Sequence, residues 1–323
     1  MQITKELIDN THHQISQRLR TTALDYSIEL SEKTGVNVWL KKEYQQFTGS
    51  FKLRGALSCI NQLSQTQKDV GVITASSGNH GLGVAMAGKI TGTKVTVFLP
   101  ANTSKVKLTA LQHLNANVIV VDGDVLVAEQ QAAELAKEKG CYYVSPYNDP
   151  YVIAGQATLA MEIHQQLPNA DTVFISVGGG GLISGIGSYY QENKLETEIV
   201  GCWPENAPAL LKCLEEGKII EIEEQPTLSE STAGGVEPES ITFPIAQKVV
   251  NTCYTVSETE IGHAMYMLAK YEREIVEGSA GVAMAALMQQ AEQYKGKNVV
   301  VVLCGKNIGF DKWLQVIKQY EDD

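Results

Sequence analysis

Residues 172–185 read TVFISVGGGGLISG. Six residues rich in β-branched and aromatic side chains run into four consecutive glycines, and a helix-compatible run, LISGIGSYYQE, follows. A strand that ends in glycines before a helix is the ligand-binding turn of a doubly wound α/β sheet. Glycines let backbone N–H groups converge without interference from Cβ, and the helix start adds a positive dipole end. Together these make a phosphate cup. The stretch is not a Walker A loop, because no Lys-Ser/Thr pair follows the glycines. It is not a dinucleotide fingerprint either, because the first strand and turn of the chain lack GxGxxG. A plain tight turn would need fewer than four glycines.

The same pattern extends in both directions. Strand-like runs occur at 36–40 (VNVWL), 70–75 (VGVITA), 94–99 (KVTVFL), 117–121 (NVIVV), 198–203 (EIVGCW) and 298–304 (NVVVVLC). Amphipathic segments at 125–139 and 155–166 lie between some of them. The alternation predicts an α/β fold with mainly parallel sheets. A second glycine-bearing turn, SSGNHG at 76–81, occupies the same position after its strand as the four glycines do after theirs. Its backbone N–H groups suit a carboxylate, and Asn79 can donate to a phenolic or carbonyl oxygen. An N-cap by Ser76 or Ser77 is the plainer alternative. Two such turns about a hundred residues apart suggest two sheets facing one cleft.

Composition bounds the function. The chain has 323 residues, 44% hydrophobic and 20% charged, with a formal net charge of −11. That balance argues against nucleic acid or an anionic membrane as partner. No apolar run approaches the length of a membrane helix, and the polar start lacks a signal-peptide core. Six scattered cysteines (59, 141, 202, 213, 253, 304) without CxxC predict reduced thiols in a cytosolic protein.

Two further stretches carry candidate chemistry. In TGSFKLRGA (48–56), Lys52 lies where a loop turns into a helix, between Phe51 and Leu53. A surface lysine is the ordinary expectation. The apolar flanks instead suggest an amine turned into a cleft, where desolvation eases loss of its proton and Schiff-base formation. In VVVVLCGKN (299–307), Cys304 stands where a buried strand ends and a loop begins. A phosphate cup, a cleft amine and an amide donor together suggest pyridoxal phosphate, with Cys304 as candidate partner of the pyridine nitrogen.

LKKEYQQFTGSFKLRGA, SSGNHG, IAGQATLAMEI, VGGGGL and LCGKN, in this order and spacing, resemble the fold-type II pyridoxal-phosphate enzymes of the threonine/serine dehydratase and serine racemase branch. The resemblance covers nearly the whole chain. It implies a large domain from 1–47 and 148–323, a small inserted domain at 48–147, and the cofactor between them. It implies Lys52 as Schiff-base lysine and base, Phe51 flanking the ring, and Asn79 on the ring hydroxyl. Gly178, Gly179, Gly180, Gly181 and Leu182 would hold the phosphate through backbone N–H groups. Ser76, Ser77, Asn79 and His80 would cradle the substrate carboxylate, and Ser77 matches the opposite-face acid/base of serine racemase. Glu277 would sit behind the ring. Because the chain ends soon after the Cys304 loop, no C-terminal regulatory domain is expected.

Three positions depart from the branch. Cys304 replaces a serine, and a buried neutral thiol is the weaker donor, which favours elimination over racemisation. Trp203, Ala207 and Ala209 stand where relatives hold a divalent cation with carboxylates, so that metal site is expected to be absent. The loop STAGGVEPES (231–240) has Gly234–Gly235 in place of Asp-Gly and a glutamate at 237, so Gly235 and Glu237 become candidates for substrate selection. The resulting expectation is an ammonia-lyase that converts a 3-hydroxy amino acid, threonine or serine, to a 2-oxo acid and ammonia. Alternatives are a serine racemase, a 3-hydroxyaspartate dehydratase and, more remotely, a non-catalytic amino-acid-binding protein. A homodimer is the family's expectation.

Overall fold

A computed structural model describes residues 2–76, 78–101, 103, 105–123 and 125–321. Its ten strands are β1 (Leu24–Tyr26), β2 (Asn37–Lys41), β3 (Val72–Ala75), β4 (Val95–Pro100), β5 (Asn117–Val121), β6 (Tyr142–Tyr143), β7 (Thr172–Ser176), β8 (Glu198–Pro204), β9 (Thr252–Val256) and β10 (Asn298–Val302). They form two sheets, one of six strands in the order β1-β2-β10-β7-β8-β9 and one of four in the order β5-β4-β3-β6. Every pairing is parallel except that of β1 with β2. All seven strands expected from the sequence are present. β1, β6 and β9 were not expected. β1 and β6 are too short to show a pattern, and the partly exposed TCYTV of β9 lacks a continuous apolar run.

Helices cover both faces of the large sheet, so its central strands are apolar throughout. All five residues of β7 are buried, as are Val299–Val302 of β10. Their core takes in Val173, Phe174, Ile175, Leu182, Ile183, Val282 and Leu287. A second core joins the helix Lys52–Gln62 to the small sheet through Leu53, Leu57, Ile60, Val72, Val84, Val95 and Val97.

Both sheets point their strand C-termini at the same region. β3 leads into 76–81 and the helix Asn79–Thr91; β7 leads into 178–180 and the helix Gly181–Glu192; β10 leads into 303–307. The cap of the helix Asn79–Thr91 is Gly78, with no side-chain cap bond, and Ser76 Oγ instead accepts from the Gly78 N–H at 3.2 Å. The helix Pro150–Gln166 begins at Asp149, whose carboxylate accepts from the N–H groups of Tyr151 and Val152, both at 2.8 Å. Proline at its first position has no N–H to leave unpaired.

Candidate active site

Lys52 opens its helix directly after a loop that is stitched to the end of β10. The Phe51 N–H donates to Cys304 O at 3.2 Å, the Lys306 N–H to Gly49 O at 3.0 Å, and Ser50 bridges Gly305. Two stretches more than two hundred residues apart thus share one backbone seam. Lys52 Nζ donates to the carbonyl of Pro146 at 2.9 Å and lies 5.4 Å from the centre of the Phe51 ring. Burial lowers its amine to about 8, while nearby Cys304 and Glu277 favour the charged form. The Cys304 thiol is itself buried and pushed well above its ordinary range by desolvation, with Glu277 adding to the rise. It is therefore a neutral S–H rather than a thiolate.

Glu277 is the hub of the polar network. One carboxylate oxygen accepts from Asn79 Nδ2 at 2.8 Å and from Ser231 Oγ at 2.8 Å; the other accepts from the Asn307 N–H at 2.8 Å. Asn307 Nδ2 in turn donates to Asn79 Oδ1 and to Thr48 O. Burial raises the Glu277 carboxyl, and its three donors oppose that rise. The network spans the turns after β3 and β10 and the 231–240 loop. A Cβ at Gly305 would lie 2.9 Å from the Glu277 carboxylate, so only glycine permits this approach.

The glycine run is built differently. Gly180 caps the following helix at φ 87°, a left-handed conformation suited to glycine. A Cβ on Gly178 would lie 2.7 Å from Thr232 O, and one on Gly179 would lie 2.5 Å from the Tyr147 ring. Among the described residues, the backbone N–H groups of 178–182 meet no acceptor. Five donors at a strand end and helix start, none neutralised, suit an anion such as a phosphate. With the desolvated Lys52 amine and the Cys304 thiol, the donor set fits pyridoxal phosphate.

His80 is buried, with Nε2 2.9 Å from Val144 O. A carbonyl only accepts, so Nε2 carries the proton and Nδ1 is left an acceptor without a partner among the described residues. Burial and the Lys52 charge depress this imidazole to about 3. As an acceptor, the ring side of His80 suits a donor rather than a carboxylate. Ser77 lies outside the described residues.

Glu237 is half-buried. It accepts from Asn148 Nδ2 at 2.8 Å and Ser145 Oγ at 3.4 Å, and its N–H donates to Tyr147 Oη at 2.9 Å. Gly235 is exposed, at φ 68°. Trp203, Ala207 and Ala209 are buried, and among the described residues no three His, Cys, Asp or Glu side chains converge as a metal site.

Sequence reasoning missed the segment 144–149, VSPYND. Val144 O holds His80, Pro146 O holds Lys52, the Tyr147 ring lies against Gly179, and Ser145 and Asn148 hold Glu237. Its one sequence signal was a cluster of turn residues after a two-residue strand.

Residues 15–305 match the family model of pyridoxal-phosphate dependent enzymes. The L-threonine ammonia-lyase of Thermotoga maritima is 38% identical over 307 residues, 95% of this chain and 76% of that protein. The processed form of threonine deaminase isoform 2 from Solanum lycopersicum superposes with a TM-score of 0.91 at 32% identity, covering 98% of this chain and 94% of that one. Maize serine racemase superposes with a TM-score of 0.91 at 26% identity, covering 99% and 98%.

Proposed function

The chain belongs to the pyridoxal-phosphate dependent enzymes, and from that premise we propose that it is an ammonia-lyase acting on a small 3-hydroxy amino acid, L-threonine or L-serine. One observation carries the reading. Lys52 Nζ is anchored on Pro146 O, and the ring of the next residue, Tyr147, lies against Gly179. Lys52 and the glycine run therefore meet at one dipeptide, which supports an amine and an anion cup that serve one phosphorylated aldehyde.

Pyridoxal phosphate, when bound, supplies a Schiff-base-forming aldehyde and an electron-withdrawing ring that makes the substrate α-proton acidic. In this reading the N–H groups of Gly178, Gly179, Gly180, Gly181 and Leu182 hold its phosphate, Asn79 its ring hydroxyl and Cys304 its ring nitrogen. Phe51 flanks the ring and Glu277 fixes Asn79. Ser76 and the backbone start of the helix at Asn79 and His80 bind the substrate carboxylate. Lys52, neutral once its proton is shed near pH 8, takes the α-proton. Loss of that proton and of the β-hydroxyl, followed by hydrolysis, yields a 2-oxo acid and ammonia. A neutral Cys304 thiol cannot protonate the ring nitrogen strongly, which favours elimination, where the leaving group carries off the electron pair. Glu237 and Gly235 border the substrate side chain.

Free cysteines throughout support a reducing, cytosolic setting. Exposed Tyr26 and Ile28 on an edge strand and its flank suit a homodimer contact. The two separate sheets support a division into a large domain, 1–47 and 148–323, and a small one, 48–147. A panel of hydroxyamino acids, read in parallel by 2-oxo acid release and chiral analysis, tests the activity. Release of 2-oxo acid from threonine or serine is expected. Inverted product without 2-oxo acid would replace the lyase by a racemase.

A further inference from the structure

We propose that Arg54 is a positioning residue for the reacting amine, through a buried charge network that locks the start of the Lys52 helix to the frame of the large sheet. The inference rests on the reading of Lys52 given above.

Arg54 lies two residues after Lys52 and is 1% exposed. Its guanidinium grips Glu43 in a fork, Nε to Oε2 and Nη2 to Oε1, each at 2.8 Å. Nη1 reaches Glu162 Oε1 at 2.7 Å and Thr158 Oγ1 at 3.3 Å. The second oxygen of Glu162 takes Lys41 Nζ at 2.7 Å, and Lys41 also donates to Thr22 O and Gln166 Oε1. Two cations and two carboxylates are thus satisfied wholly by protein.

Burying four charges is a poor way to stabilise a core, since apolar residues of like volume often do as well or better. What such a network supplies is fixed geometry: planar, bidentate and intolerant of shifted positions. Here it acts at a specific place. Glu43 and Arg54 bracket the loop that ends in Phe51 and Lys52. The top of that loop is held by Tyr44 N–H to Leu303 O and Phe51 N–H to Cys304 O. The ion pair closes its base.

Bare backbone presses on the same turn. A Cβ at Gly155 would lie 2.5 Å from Arg54 O, and one at Gly83 would lie 3.0 Å from Lys52 C. Two helices therefore sit directly on the 52–55 backbone. The rest of the helix, from Leu53 to Ile60, packs into the small-sheet core. The network's other members come from Thr22, β2 and the helix Pro150–Gln166, so Arg54 ties the amine's end of the helix to the part of the molecule that carries the glycine cup.

The holoenzymes of wild type, Arg54→Lys and Glu43→Gln test this. Four readouts apply: kcat, KM, the thermal midpoint, and the rate at which borohydride fixes cofactor to the Lys52 peptide. Arg54→Lys keeps the charge but loses the fork. Its kcat per folded molecule should fall about 100-fold with little change in KM, and trapping at Lys52 should slow in step, as misplacing a reacting group by about an ångström does. Glu43→Gln should show the same pattern at about tenfold. Wild-type kcat and trapping in Arg54→Lys would overturn the proposal, as would losses that only track the fraction unfolded. If Arg54→Lys does not fold, Glu43→Gln decides by the same readouts: wild-type kcat and trapping there would overturn the proposal. Lys52→Ala serves as the separate control. Its turnover at the wild-type rate would defeat the assignment of Lys52 itself, whatever the Arg54 variants do.

Discussion

The two glycine-bearing turns answer the same topological position with opposite chemistry. Residues 178–181 are all glycine, and among the described residues the backbone N–H groups of 178–182 meet no acceptor. At 76–81 the described side chains are engaged, Asn79 by Glu277, Ser231 and Asn307, and His80 by Val144. The first turn presents backbone donors that suit an anion. The other is a lattice of directed bonds between protein groups. An anion needs convergent positive potential but little direction, so backbone suffices. Discrimination among similar amino acids needs side chains held at fixed angles, and those need partners of their own.

Lys52 is held on Pro146 O, next to the Tyr147 that packs on Gly179, and its removal should produce the largest effect. Lys52→Ala is expected to lower turnover by about 10⁴-fold, and the visible band of the bound cofactor should vanish with it. A protein still yellow and active would break the comparison at its centre. Next comes the backbone turn. In Gly179→Ala the new methyl meets the Tyr147 ring at 2.5 Å, an overpacking of about 1–3 kcal/mol. That corresponds to roughly 5- to 150-fold weaker cofactor binding, measurable by titration. Shortening Tyr147 to leucine in the same chain should restore part of it.

The side-chain turn should show itself in pH rather than in cofactor affinity. His80 is held neutral at about 3 in the fold, against 6.5 as an ordinary histidine. The unfolded chain therefore binds one more proton between those values, and stability falls as pH drops from 6.5 towards 3. His80→Gln should flatten that acid limb of the thermal midpoint; an unchanged limb would contradict the neutral imidazole. The smallest effect is expected from Cys304→Ser. It exchanges one neutral donor for another, so kcat should change by about tenfold or less, as for a hydrogen bond of ordinary strength. A shift toward racemisation in this variant would sharpen the link between the thiol and elimination.

Much of the fold could be read directly. Seven strands announced themselves as short apolar runs because both faces of a parallel sheet are covered, and the helix Val125–Lys139 matches its amphipathic segment residue for residue. β9 escaped because an edge strand with partly exposed residues needs no apolar run. At the site, Lys52, Asn79, the four glycines and Cys304 stood out by residue type and setting. The 144–149 segment did not, since its main contributions are the carbonyls of Val144 and Pro146, and a carbonyl is the same in every residue. No sequence signal singled out Arg54 or Glu43, which the structure buries. Nothing local distinguishes an arginine paired inside a protein from one in water.

By itself, then, the sequence determined the alternation of strands and helices and the glycine turn after β7, because periodicity and glycine runs act through bonds a few residues long. Tertiary structure alone decided which groups share the site. It sewed 48–52 to 304–307, turned the His80 ring onto Val144, and closed Arg54 on Glu43 and Glu162. Those contacts join residues up to more than two hundred positions apart, and their strength depends on burial, which exists only once the chain has closed around them.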